Sequence, residues 1–78
     1  MKIPRDISSA DLIKILNKMG YEVTRQRGSH IRLTSPNLNH HITIPNHNLI
    51  KIGTLNNILK DLSGYLKISK DEILSKYF

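Results

Sequence analysis

The chain has 78 residues, no cysteine, and 12 Lys and Arg against 6 Asp and Glu, which gives a formal charge of +6 at pH 7. This length predicts a single domain over residues 1–78, too small for a deep pocket that holds a large cofactor. We expect a soluble cytoplasmic protein, because the sequence has no cysteine for disulfides, no signal-peptide pattern and no apolar stretch long enough to span a membrane. The charge favours a polyanionic partner, with nucleic acid as the first candidate, although an acidic protein partner or solubility alone explains it as well.

The first predicted element is a helix over about residues 9–19. Ser8 is a good N-cap residue, and Asp11, three positions later, approximates a capping box. Apolar residues then recur at helical spacing at Leu12, Ile13, Leu16 and Met19. Gly20 follows the last of them, as expected at the C-terminal end of a helix.

The next segment, residues 21–27, predicts a half-buried strand. Tyr21 and Val23 alternate with polar residues, so both are expected on the face that packs against the core. Gly28 and Ser29 then predict the turn of a hairpin. Because this turn directly precedes His30, the stretch RGSHIRL is a candidate functional site.

Two further strands are predicted over about residues 30–34 and 40–45. The apolar residues Ile31 and Leu33 alternate with His30 and Arg32, and the third strand alternates in the same way. Its Ile42 and Ile44 are expected to face the core. His41 and Thr43 should then share the opposite, solvent-facing surface with His30 and Arg32.

Two helices complete the predicted chain. Thr54 is predicted as the N-cap of the first, whose apolar stripe consists of Leu55, Ile58, Leu59, Leu62 and Leu66. Ser69 with Glu72 predicts a second capping box and a short last helix. The resulting order, α-β-β-β-α plus a short C-terminal helix, predicts a two-layer α+β fold in which helices cover one face of a three-stranded antiparallel sheet.

Three stretches taken together resemble a known family: SSADLIKILNKMGYEVTRQRGSHIRL, HITIPNH and KIGTLNNILKDL. In this order and spacing they are similar to the HicA-type (YcfA-like) toxins, small mRNA interferases of bacterial and archaeal toxin–antitoxin pairs. The resemblance implies a fold like that of double-stranded-RNA-binding domains, ribosome-independent cleavage of RNA, and a HicB-type antitoxin that covers the site. The key histidine of the family's Gly-Ser-His motif maps onto His30. Ile31 departs from several members, which carry a further His or aromatic residue there.

RNA cleavage of this kind suits the residues around His30. RNA supplies its own nucleophile, the 2′-OH, so the enzyme needs to move protons and to stabilise negative charge on the phosphate. A histidine suits proton transfer because its ordinary pKa of about 6.5 lies near working pH, and arginine can hold two phosphate oxygens at once. Neither metal nor cofactor is required. The predicted catalytic residue is His30, and the predicted RNA-binding residues are Arg25, Arg27, Ser29, Arg32 and Lys51.

Other interpretations of these residues remain open. His30 and Arg32 alone are also typical of an ordinary solvated sheet face, and the same fold could bind RNA without cleaving it or serve as a protein-interaction domain. His40, His41 and His47 invite a zinc interpretation. However, the chain has no cysteine, and adjacent strand residues such as His40 and His41 point to opposite faces, so a metal site is not expected.

Overall fold

The computed structural model describes residues 3–4 and 6–78. Outside the described residues lie Met1, Lys2 and Arg5. They belong to the N-terminal stretch in which the sequence predicts no signal peptide. The elements in chain order are α1 (Ser9–Lys18), β1 (Glu22–Arg27), β2 (His30–Thr34), β3 (His41–Pro45), α2 (Ile52–Leu66) and α3 (Lys70–Tyr77). The strands form one antiparallel sheet in the order β1-β2-β3. The predicted α+β fold with an extra C-terminal helix is therefore confirmed.

One hydrophobic core joins the sheet to the helices. The sheet contributes four apolar side chains from β2 and β3, none more than 5% exposed: Ile31, Leu33, Ile42 and Ile44. The helices contribute Leu12, Leu16, Leu55, Ile58, Leu59, Leu62 and Ile73. A slip of one residue between β2 and β3 would turn the slipped strand's apolar side chains to solvent, at about 1.5–3 kcal/mol for each. This cost fixes the register that displays the polar side chains on the other face.

The first helix begins where predicted and ends at Lys18, one residue before the predicted end. The Ser8 side chain accepts a hydrogen bond from the Asp11 amide, and the Asp11 carboxylate accepts one from the Ser8 amide, which completes the capping box. Gly20 follows with φ of +93°, and a Cβ at this position would lie 2.5 Å from Cγ of Pro36. Gly20 thus provides both the left-handed turn and the close approach of the β2–β3 loop.

The second helix corrects one prediction. Thr54 is not its N-cap, because the helix begins at Ile52 and Lys51 is the capping residue, without a side-chain cap bond. The chain is already fixed just before this point. Ile50 is 1% exposed, and its amide donates to the Ile7 carbonyl at 2.7 Å. This tertiary anchor, rather than a local capping side chain, sets where the helix starts.

The first strand corrects another prediction. Val23 does not pack into the core but is 47% exposed, and every residue of β1 is exposed. The helices bury side chains of β2 and of the other edge strand, β3, and leave those of β1 exposed. Two strand limits also shift, because β1 begins at Glu22 rather than Tyr21 and β3 begins at His41 rather than His40.

Candidate active site

The sheet face that points away from the helices, called here the open face, carries three rows of paired residues. The first row is Arg27, His30 and Pro45, the second is Arg25, Arg32 and Thr43, and the third is Glu22, Thr34 and His41. The first two rows hold a histidine and three arginines. The third holds a carboxylate and no arginine, so the two ends of the open face differ in charge.

A β-bulge brings two of the three arginines to this face. The pairing of β1 with β2 shifts between Val23 and Arg25, so that Thr24 is an extra residue in β1. In a regular strand Val23 and Arg25 would share one face, because side chains alternate. The bulge breaks the alternation, and Arg25 and Arg27 then pair with Arg32 and His30. Sequence reasoning placed both arginines near the hairpin turn and gave no reason for this shared face.

The first two rows surround a shallow cavity of about 200 Å³. Its lining consists of Arg25, Arg27, His30, Arg32 and Thr43. His30 is exposed, and no hydrogen bond to its ring occurs within residues 3–4 and 6–78. In the same part of the chain, the only ion pair joins His40 to Asp61, so no carboxylate neutralises these arginines. An exposed imidazole therefore lies among three cationic groups that favour an anion.

The hairpin turn fixes the backbone that carries His30. Gly28 has φ of +54°, which glycine adopts without strain, and a Cβ there would meet no neighbour within 4 Å. The Ser29 carbonyl accepts a hydrogen bond from the Asn46 amide at 2.7 Å. Asn46 Oδ1 in turn accepts a bond from the Ser9 hydroxyl at 3.1 Å. The turn is thereby tied to the start of α1, while the His30 ring stays free.

His40, unlike His30, is held by hydrogen-bond partners at both ring nitrogens and by stacking on a third residue. The Tyr21 hydroxyl lies 2.7 Å from Nδ1 of His40, and Asp61 Oδ1 lies 3.1 Å from its Nε2. The Tyr65 ring stacks on the imidazole with centroids 4.3 Å apart. We call Tyr21, His40, Asp61 and Tyr65 the His40 cluster. The cluster contains residues from the α1–β1 junction, from the position directly before β3, and from α2. It therefore links three parts of the fold.

Burial raises the pKa of Tyr21 to about 12, with further contributions from Tyr65 and Asp61. The hydroxyl therefore stays protonated at neutral pH and can donate to His40. The sequence alone does not predict that these four side chains come together. Its one local signal is the pair Asp61 and Tyr65, four residues apart and therefore on one face of a helix. The other two members come together only through the tertiary fold.

The remaining candidate residues lie apart from the cavity. Ser29 is exposed in the turn next to His30, and Lys51 is exposed as the N-cap of α2, but neither lines the cavity. His41 bonds through Nδ1 to the Thr34 hydroxyl at 3.0 Å, so it has different partners from its neighbour His40. The structure adds Thr43 to the cavity lining, a residue expected on this face but not singled out.

The family of the chain follows from comparison with known proteins. The family model described as the HicA toxin of bacterial toxin–antitoxin systems matches residues 9–63, which is well over half of the chain. No curated protein and no solved structure gives a significant match. The chain belongs to the HicA toxin family, and its function is that of a toxin in a toxin–antitoxin pair. None of the helices in the described residues is long and apolar enough to cross a membrane.

Proposed function

We propose that the chain is an endoribonuclease, an mRNA interferase that cleaves RNA without the ribosome and uses His30 as its catalytic residue. The observation that carries this proposal is the exposed His30 ring in a cavity lined by Arg25, Arg27 and Arg32. A proton-transfer group and anion-binding groups on one rigid sheet are what cleavage of a phosphodiester bond requires. Membership of the HicA toxin family supports RNA as the substrate.

The proposed reaction uses a nucleophile that the RNA itself supplies. The 2′-oxygen attacks the adjacent phosphorus and loses its proton, the bond from phosphorus to the 5′-oxygen breaks, and that oxygen gains a proton. The products are a 2′,3′-cyclic phosphate and a 5′-hydroxyl. His30 accepts the proton of the 2′-OH or donates one to the leaving oxygen. Such help is typically worth about 10²–10⁴-fold in rate.

The arginines stabilise the charge that develops on the phosphate. Arg32 pairs with Arg25 across the sheet, so two guanidinium groups can contact the oxygens of one phosphate from neighbouring strands. Arg27 pairs with His30 and can contact the next phosphate. Ser29 contributes a hydroxyl beside the site, and Lys51 adds positive charge at the start of α2. Proton transfer and charge stabilisation together need no metal or cofactor.

The proposed partner is a HicB-type antitoxin that covers the open face. Such a partner would bury His30 and compete with RNA for the same arginines. An acidic partner would also be steered to this surface by the net charge of +6. RNA as substrate and a protein antitoxin as partner are both consistent with action in the cytoplasm.

Purified protein tests the proposal directly. Wild type, His30→Ala and His47→Ala are each incubated with single-stranded and double-stranded RNA in the presence of a metal chelator. We expect wild type and His47→Ala to cleave, because His47 lies in the exposed loop after β3 and does not line the cavity around His30. His30→Ala should bind RNA without cleaving it. Binding without cleavage by wild type would instead identify a non-catalytic RNA-binding module, and absence of salt-dependent binding would favour a protein-interaction domain.

A further inference from the structure

Two residues of the third row, Glu22 and Thr34, line a second cavity with a different character. This cavity of about 290 Å³ lies beside the α1–β1 turn and the β2–β3 loop, and Glu22, Thr24, Thr34 and Leu38 are among its lining residues. Its size is near the lower limit of about 300 Å³ for small-molecule pockets, which suits a single nucleobase rather than a larger ligand. Among the residues that the structure describes, Glu22 is the only charged one in its lining.

The floor of this cavity is fixed by a chain of hydrogen bonds. The hydroxyls of Thr24 and Thr34 lie 2.7 Å apart, and the Thr34 hydroxyl lies 3.0 Å from Nδ1 of His41. Thr24 is the extra residue of the β-bulge, so the same irregularity that turns the arginines toward His30 also supplies this hydroxyl. Thr34 is 5% exposed, which limits its motion. Glu22 pairs with Thr34 and is therefore held beside a rigid surface.

The charges on the open face decide which part of an RNA chain each cavity suits. Phosphates are drawn to the arginines of the first two rows and repelled by the carboxylate of Glu22. His30 and Thr34 are four positions apart in β2, which corresponds to roughly 13 Å along the strand. An RNA chain that follows β2 would thus place phosphates at the first cavity and a base, a few nucleotides away, at the second.

We propose that the second cavity is a nucleobase subsite in which Glu22 selects guanine near the cleaved bond; this inference depends on RNA being the substrate, as proposed above. The Watson–Crick edge of guanine presents two adjacent donors, N1–H and the N2 amino group, to the two oxygens of a carboxylate. Uracil presents two carbonyl oxygens beside its single donor, and adenine and cytosine each present one amino donor beside an acceptor. Guanine is therefore the base that a carboxylate binds best. The exposed side chain of Leu38 offers apolar surface to the face of the base.

A pool of short RNAs with randomised sequence, sequenced after cleavage, tests this subsite. The proteins are wild type, Glu22→Gln and the control Glu72→Gln, which makes the same change on the exposed surface of α3. We expect wild type and the control to prefer guanine at one position near the cut by roughly tenfold or more, as for other bidentate base contacts. Glu22→Gln should lose most of this preference and keep its cleavage of RNAs without guanine there.

Inosine provides a second test that does not depend on any variant folding. It lacks the N2 amino group of guanine and keeps N1–H, so replacing the selected guanine by inosine should lower wild-type cleavage by several-fold. The same replacement should have little effect in Glu22→Gln. Equal cleavage of the guanine and inosine RNAs by wild type would overturn the proposal, as would a guanine preference that Glu22→Gln retains.

Binding measurements separate this inference from the proposed nuclease function. The affinity of His30→Ala for the same guanine and inosine RNAs is measured without any need for cleavage. A guanine preference in binding, with wild type failing to cleave, would support the subsite and contradict the nuclease. Cleavage without base preference would contradict the subsite alone. Absence of RNA binding would contradict both.

Discussion

The environments of His30 and His40 differ in almost every respect. His30 is exposed at the start of β2, in a cavity lined by arginines. The side chain of His40 is 14% exposed, lies between Tyr21 and Asp61, and stacks on Tyr65. His30 is the first residue of β2, and His40 directly precedes β3. Both therefore lie where a short loop meets a strand of the same sheet. The difference between them is therefore one of partners, and it separates a histidine available to a substrate from one that holds the fold.

The physical reason is that a ring with both nitrogens bonded has little freedom to take part in chemistry. The two nitrogens of His40 have Tyr21 and Asp61 as partners, so a substrate would have to displace one of them. A buried hydrogen bond left unmade costs about 1–3 kcal/mol. The exposed His30 ring meets no such cost when it contacts a substrate. We therefore propose a catalytic role for His30 and a stabilising role for His40, and each role can be tested separately.

The largest expected effect is on the cleavage rate of His30→Ala. Loss of general acid–base catalysis should lower the single-turnover rate on RNA by about 10²–10⁴-fold. Its free energy of unfolding should change by no more than about 0.5 kcal/mol, because the side chain is exposed. Quenched-flow or gel assays and urea denaturation provide the two measurements. A stable variant that cleaves at the wild-type rate would remove His30 from the mechanism.

The opposite result is expected for His40→Ala. Removal of the ring leaves the Tyr21 hydroxyl, on a residue 1% exposed, without its partner and removes the stacking on Tyr65. We expect a loss of about 1–3 kcal/mol in the free energy of unfolding, with the cleavage rate of folded protein retained. His47→Ala, in an exposed loop, is the matched control and should change stability by no more than about 0.5 kcal/mol. Equal stabilities for the two variants would contradict the structural role of the His40 cluster.

A smaller effect is expected from removing one arginine of the cavity. Arg32→Gln should weaken RNA binding and reduce the slope of log affinity against log salt concentration by about 1, as for the loss of one phosphate contact. Lys60→Gln removes the same charge from the exposed surface of α2 and should change the slope much less. Fluorescence anisotropy at several salt concentrations measures both. Identical slopes for the two variants would show that net charge, rather than the cavity, attracts RNA.

The last prediction concerns the stability of the fold at alkaline pH, which depends on Tyr21. Because burial raises its pKa from 10.0 to about 12, the unfolded chain loses this proton at lower pH than the folded chain. The stabilisation is thus fully present below pH 10 and is lost as pH rises to about 12. We expect wild-type stability to decline relative to Tyr21→Phe over this range. Urea denaturation at a series of pH values measures the difference, and parallel pH profiles for the two proteins would contradict the burial of this hydroxyl.

The sequence predicts the fold well because the signals that define it are local. The capping box at Ser8 and Asp11, the Gly20 helix end and the alternation in β2 and β3 all appear as expected. Thr54 fails as a cap because contacts of Ile50 with a distant part of the chain fix the helix start. Val23 fails as a core residue because the helices pack on β2 and β3 and leave β1 exposed, a fact that only the assembled fold determines.

The site is only partly readable from the sequence for the same reason. His30 and Arg32 alternate with core residues, so their shared face is a local property that the sequence reveals. Arg25 and Arg27 reach that face through a bulge that depends on how β1 pairs with β2. The partners of His40 come from α2 and from the α1–β1 junction, far along the chain. The position of His40 directly before His41 in the sequence therefore gives no sign of its different role.

The chemical nature of the RNA ends tests the central claim most directly. Mass spectrometry of the fragments that wild type releases from a defined RNA, with a metal chelator present, identifies both termini of each cut. If His30 moves the proton in an attack by the RNA's own 2′-oxygen, every cut should yield a 2′,3′-cyclic phosphate and a 5′-hydroxyl, and His30→Ala should yield neither. Fragments with a 3′-hydroxyl and a 5′-phosphate would show attack by water and contradict the account.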